Sequence, residues 1–406
     1  SYRGTLNGST FIYVGGNAVI GDETLINNNS NLYGEEAGSV FGIGNGNSNS
    51  SKIGTAETSN IIIDGNAVIK RNVYGGGNYG AVGIDATGTT TTKINVLGGT
   101  INGSLYGGGN NNGSGSSSVT STIDIKMSGG TINGSLYGGS RSKGVVYGNT
   151  NVNVLGGVID TDVYGGGEGG YTNSSNPGTY VTQNVRVTVG NVNDGIVPLI
   201  NGNVYGGSAY GTVNGSSSGT SISNYDTVVT VNEGTIISSV FGGGKGSSTF
   251  VPAVLGNVTV NINGGNIGNV FGGNDAAGAP NGKDIVYLNG GIIGNAFGGG
   301  NNTGQEQTNI YLQGAEVTNL FGGSNASGTV VEANVTVTSG NVGNIYGGNN
   351  IGGNTETTNV DVIACNITGD IYGGGSKADT TETNVKIGET TVNNVYGGGE
   401  EADATN

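Results

Sequence analysis

The chain has no histidine and no tryptophan, one cysteine, one methionine and four prolines in 406 residues. Each scarcity excludes something. Without His there is no Ser-His-Asp triad, no His-based zinc site and no access to the commonest general base. Cys365 alone cannot form an internal disulfide, and its simplest reading is a small buried core residue. Lys and Arg total 13 against 28 acids, a net charge of −15. Nucleic acid recognition wants a basic face, so it is not an expected partner. No apolar run approaches the ~20 residues that span a bilayer, and membrane insertion is not expected. The scarcity of Pro and the lack of a strict three-residue glycine period exclude collagen.

What is abundant is glycine: 87 residues, about threefold the usual share. Disorder does not follow, because hydrophobic residues make up 33% and the β-branched ones are strongly patterned. The pattern is a repeat. "NVYGGG" at 72–77 returns as "SLYGGG" at 104–109, "SVFGGG" at 239–244 and "NVYGGG" at 394–399. Its aromatic anchor falls at Phe41, Tyr74, Tyr106, Tyr137, Tyr164, Tyr205, Phe241, Phe271, Phe297, Phe321, Tyr346, Tyr372 and Tyr396. Successive spacings are 33, 32, 31, 27, 41, 36, 30, 26, 24, 25, 26 and 24. A constant anchor with variable spacing implies one tolerant loop per repeat.

Each unit begins with alternating apolar residues, as in "NVRVTVG" at 184–190 or "NVTVTSG" at 334–340, the signature of a strand. A short piece such as "GGTING" at 98–103 follows, and then the aromatic strand. No segment shows a helical period. Three short strands per repeat, stacked in register, predict an all-β, right-handed parallel β-helix (β-solenoid) of about 13 coils, with a minimal repeat of 24–26 residues. At ~4.8 Å per coil the stack is roughly 60 Å long. The expectation is a single domain over 1–406: irregular N-terminal coils or a cap over 1–40, regular coils over 41–399, and a loop or the start of another coil over 400–406.

In "VYGG" the aliphatic residue should point inward, the glycines should turn the corner, and the aromatic should face the other way. Either the aromatics form a ladder at least half buried under the following loop, or they make an open strip for ligands. Asn151, Asn184, Asn257, Asn309, Asn334, Asn359 and Asn384 recur at the head of the first strand. They are read as an inward or corner Asn ladder, with a sugar-binding row as the alternative.

The "NVxV…GGxI…VYGGG" units across roughly 41–399 resemble bacterial secreted surface proteins with parallel β-helix repeats, such as Gly/Asn/Thr-rich adhesins and autotransporter-like passengers. That resemblance implies extracellular, cell-surface display with an adhesive or fibrous role. It supplies no catalytic, cofactor or metal residues, and none are assigned.

Parallel β-helices also include polysaccharide lyases and glycosidases. The best carboxylate pair is Asp160 and Asp162, on one strand face, but no basic partner follows nearby. Asp275 in "GGNDAAG" lacks the nonapeptide period of calcium-binding repeats. Glu35–Glu36 and Glu400–Glu401 are solvated loop acids, and "TGTTTTK" at 87–93 is not a recurring Thr face. An enzyme is therefore not expected.

The chain ends in "YGGGEEADATN", close to the phase in which it begins with "GSTFIYVGGNAVIG". Three arrangements fit: a segment of a longer solenoid, a head-to-tail homopolymer, or a monomer capped by residues 1–40. The favoured function is a structural rod or filament subunit of a bacterial surface fibre. The alternative is a glycan- or host-binding adhesin segment that uses exposed Tyr and Asn, or loops around 78–92, 110–120, 168–183 and 206–226.

Overall fold

The computed structural model describes residues 5–22, 37–44, 55–78, 81–82, 91–110, 119, 122–170, 178–192, 195–215 and 222–403. Glu35–Glu36, most of "TGTTTTK" and the loop segments 83–90, 111–118, 171–177 and 216–221 lie outside these residues. Two compact units make up the chain: residues 1–202 with 207–218, and residues 203–206 with 219–406. They are called unit 1 and unit 2.

Both units are all-β, with no helix among the described residues, and the strand pairs are parallel. The fold is a parallel β-solenoid. In unit 1, Leu105–Tyr106 lies between Val73–Tyr74 and Leu136–Tyr137, with Tyr106 opposite both tyrosines. In unit 2, Gln305–Phe321 pairs along its length with Thr329–Tyr346, bringing Asn309 to Asn334 and Phe321 to Tyr346. A one-residue slip would turn every inward side chain outward, so the alternating pattern sets the register.

The core is made of inward columns. Ile94, Ile125 and Val152 stack in unit 1 and Val260, Val286 and Ile310 in unit 2, all fully buried. The aliphatic residue before each aromatic is buried from Val73 through Ile371. Unit 1 adds a further apolar column from its longer loops: Ala56, Val82, Val119, Val146, Val181 and Val213. In unit 2 the comparable corner holds Gln305, Val330, Thr355 and Thr380.

The glycines after the aromatic allow successive coils to approach. A Cβ on Gly107 would stand 2.3 Å from the Gly138 carbonyl oxygen, and one on Gly322 would stand 2.2 Å from that of Gly347. In both places the obstacle is backbone, so closeness rather than a special φ demands glycine.

Candidate functional site

The repeated feature most open to a functional reading is the aromatic column with its polar flanks. In unit 1 the rings of Phe41, Tyr74, Tyr106, Tyr137 and Tyr164 stack at 4.8–5.0 Å. Unit 2 has its own run, Tyr205, Phe241, Phe271, Phe297, Phe321, Tyr346, Tyr372 and Tyr396, at 4.6–5.0 Å. The rings from Tyr74 through Tyr346 are buried, while Phe41 and Tyr372 are half-buried. Their faces are covered by neighbouring rings, and such parallel contacts add to the burial of each side chain.

Buried phenols need partners, and these come from a column that the repeat motif does not announce. Four residues past most of the aromatics stands a polar side chain, Ala209 being an exception, and four of these side chains reach a phenol two coils back. Arg141 donates to the Tyr74 oxygen at 3.2 Å. Tyr106 donates to Glu168 at 2.9 Å, Tyr205 to Asp275 at 2.9 Å and Tyr346 to Glu400 at 3.1 Å. Burial first, and then the Glu168 charge, push the Tyr106 and Tyr137 phenols far above their ordinary range. These hydroxyls stay neutral donors. The constant offset of four was the signal available in sequence.

Between the phenol contacts, the same column is an amide ladder. Asn301 donates to Asp275, Asn325 to Asn301 and Asn350 to Asn325, at 2.8–2.9 Å. A second ladder runs two residues before the aromatic: Asn295 donates to Asn269, Asn319 to Asn295 and Asn344 to Asn319. A third links Asn289 to Asn263 and Asn263 to Asn232. In every one of these bonds the nitrogen belongs to the later coil and the oxygen to the earlier. Asp275 stands where its ladder starts, since a carboxylate accepts but has no proton to pass on.

The seven asparagines singled out by motif do not form one inward column. Asn309, Asn334, Asn359 and Asn384 do form a row, each amide donating to the previous one at 2.9–3.4 Å, but it faces outward. Asn151 also faces outward, between Asp124 and Arg186, and bonds Asp124. Asn184 and Asn257 belong to a different strand position, just before inward Val185 and Val258. Asn257 accepts from the Lys283 amide, and the Asn184 amide donates to Asn149.

The candidate carboxylates are each engaged by another side chain. Asp160 accepts from Asn201 at 3.1 Å, and Asp162 from the Tyr164 hydroxyl at 2.8 Å. Glu400 is held by Tyr346 and Ser376, and Glu401 lies 3.5 Å from Lys377. No group of three or more metal-ligating His, Cys, Asp or Glu residues occurs among the described residues. Cys365 is half-buried rather than in the core; its thiol donates to the Gly340 carbonyl, and burial pushes it up to about 11.

At the last coil, Asp379–Ile387 pairs with Asn354–Val362, and Val395–Tyr396 with Ile371–Tyr372. Val395 and Tyr396 are 45% and 44% exposed, whereas Ile371, one coil earlier, is fully buried. The aromatic column and the Asn309 row continue to this edge. Compared with known protein families, curated proteins and solved structures, the chain matches none. The class that the fold defines is the parallel β-solenoid.

Proposed function

We propose that this chain is a structural subunit of an extracellular bacterial surface fibre, extended by stacking one solenoid coil on another. The observation that carries the reading is the in-register repetition of one coil in unit 2, whose apolar and aromatic columns stack from coil to coil with an outward Asn row beside them. At Thr383–Tyr396 the apolar and aromatic columns are exposed. A second copy of the chain offering a coil of the same pattern would cover Val395 and Tyr396, join the aromatic stack and pair the free strand edge. Two apolar side chains moved from this exposure to full burial contribute a few kcal/mol, before strand pairing is added.

The buried aromatic column favours a scaffold over an open binding strip. The alternative, a glycan-binding adhesin segment, draws on Tyr287 and Tyr311, stacked at 5.0 Å on the outward side of their strands, one column over from the Asn309 row. Rings stacked on each other turn edges toward solvent, whereas a sugar packs on a ring face, which weakens that reading.

Electron microscopy of the purified chain tests the proposal, with a Val395→Asp, Tyr396→Asp double variant as control. End-to-end assemblies for the parent and separate particles for the variant are expected. Separate particles for the parent at high concentration would sink the fibre reading. Glycan retention on an array by the same particles would replace it with the adhesin.

A further inference from the structure

At one inward register position of the long strand, several coils place a threonine whose hydroxyl donates to a glycine carbonyl at the aromatic turn, and others an apolar residue such as Val258 or Ala333. Thr150 donates to Gly165 at 2.8 Å, Thr308 to Gly322 at 2.7 Å and Thr358 to Gly373 at 2.6 Å. One coil of unit 2 places an acid there. Asp284 sits in register between Val258 and Thr308, with no exposure to solvent. Neither carboxyl oxygen has a hydrogen-bond partner.

The carbonyl expected to face Asp284 is that of Gly298, 14 residues on, as Gly322 is from Thr308. Contact is close there: a Cβ built on Gly272 would stand 2.1 Å from the Gly298 oxygen and 3.1 Å from Asp284 Cβ. The nearest amide, Gln305, is committed elsewhere; its nitrogen bonds the Pro280 and Gly282 carbonyls at 3.2 and 3.0 Å.

No cation compensates a charge at this point. The inward neighbours on the flanking strands are Val258, Thr308 and Gln305, and the adjoining turns contribute Gly272, Gly273, Asn274 and Gly298, none of them ionisable. Lys283 and Glu306 are exposed, on the outward side of their strands. Asp275 is outside the core, bound to Tyr205 and Asn301.

We propose that Asp284 is a proton-controlled clasp. As the neutral acid it donates to the Gly298 carbonyl in place of a threonine. As the carboxylate it can draw only on the Gln305 amide, which already serves two carbonyls, and it loosens the coils on either side. Burial, outweighing the opposite pull of the Gln305 amide, raises its pKa from 3.8 to about 8, in the same direction as this geometry. The folded state therefore holds the proton over a range where the unfolded chain has lost it. Stability from this group is full below about pH 4, falls as pH rises, and levels off above about pH 8. Within that window the unfolding constant of the surrounding coils rises about tenfold per pH unit from this residue alone. Acid tightens this part of unit 2 and mild alkali loosens it.

The test combines carboxyl-carbon NMR titration of the intact chain with urea unfolding of the parent, Asp284→Thr and Asp284→Asn across that window. One aspartate signal still protonated at neutral pH is expected, absent from both variants. The midpoint of Asp284→Thr should exceed the parent's at about pH 8 and lack the parent's additional downward slope. If Asp284→Thr does not fold, the slope comparison with Asp284→Asn decides. Parent and variant slopes that coincide, or an Asp284 signal titrating in the ordinary carboxylate range, would overturn the proposal.

Discussion

The two units build one coil with different interiors. Unit 1 stacks mainly tyrosines, and each buried phenol commits a polar side chain elsewhere: Arg141 serves Tyr74, and Glu168 serves Tyr106. Arg141 and Glu168 then lie 3.7 Å apart and partly neutralise each other. Unit 2 stacks phenylalanines from Phe241 to Phe321, so Asn301, Asn325 and Asn350, two coils past rings without a hydroxyl, are free to extend a ladder from Asp275, which also serves Tyr205. The corner differs in the same spirit. Long loops in unit 1 return a column of valines. In unit 2, Asn274 and Asn349 are fully buried and accept from the Gly244 and Ser324 amides. One hydroxyl on a ring decides what the next column has to be.

The strongest way to break the comparison is at the glycines, where the units should behave alike. Gly107→Ala and Gly322→Ala each drive a methyl into backbone and should cost at least about 3 kcal/mol in their own unit. Gly397→Ala has nothing within 4 Å and should change stability by less than about 0.5 kcal/mol. Urea unfolding with hydrogen exchange to localise the loss would check all three.

Next in size is the ring column. Phe297→Ala empties a buried site and should cost about 3–5 kcal/mol, read as lost protection in coils 266–321. Tyr106→Phe keeps the stack and removes only the bond to Glu168. About 1 kcal/mol is expected, and the same denaturant series measures it. An equal loss from both substitutions would mean that the hydroxyl, and not the ring, holds unit 1 together. Smallest is the amide ladder: Asn325→Ala removes one donor and one acceptor at the surface and should cost about 1 kcal/mol or less.

The parallel β-solenoid was legible because two signals repeat without exception, alternation along the first strand and an aromatic followed by glycine. The asparagine row was legible only in part. "TNVNV" and "NVRVTV" look alike, but Asn151 stands between inward Thr150 and Val152, whereas Asn184 precedes inward Val185. The same letters are shifted by two along the strand, and only register distinguishes them. The column four past the aromatic was missed because its identity varies between Arg141, Glu168, Asp275 and Asn301. Its offset recurs along the chain, interrupted at Ala209, and its chemistry differs between the coils that serve a phenol and those that do not.

The common direction of the amide ladders bears on how the protein ages. Asn263 and Asn289 are each followed by glycine, the setting most prone to loss of ammonia, and asparagine is among the thermally labile residues. Hydrolysis of Asn289 would leave an acid with no proton to offer Asn263, yet able to face whatever lies on its other side. The same event at Asn263 would cut the link to Asn232 while keeping the acceptor for Asn289. Chemical damage in these rows is thus one-sided: it severs each ladder toward the earlier coil and spares it toward the later.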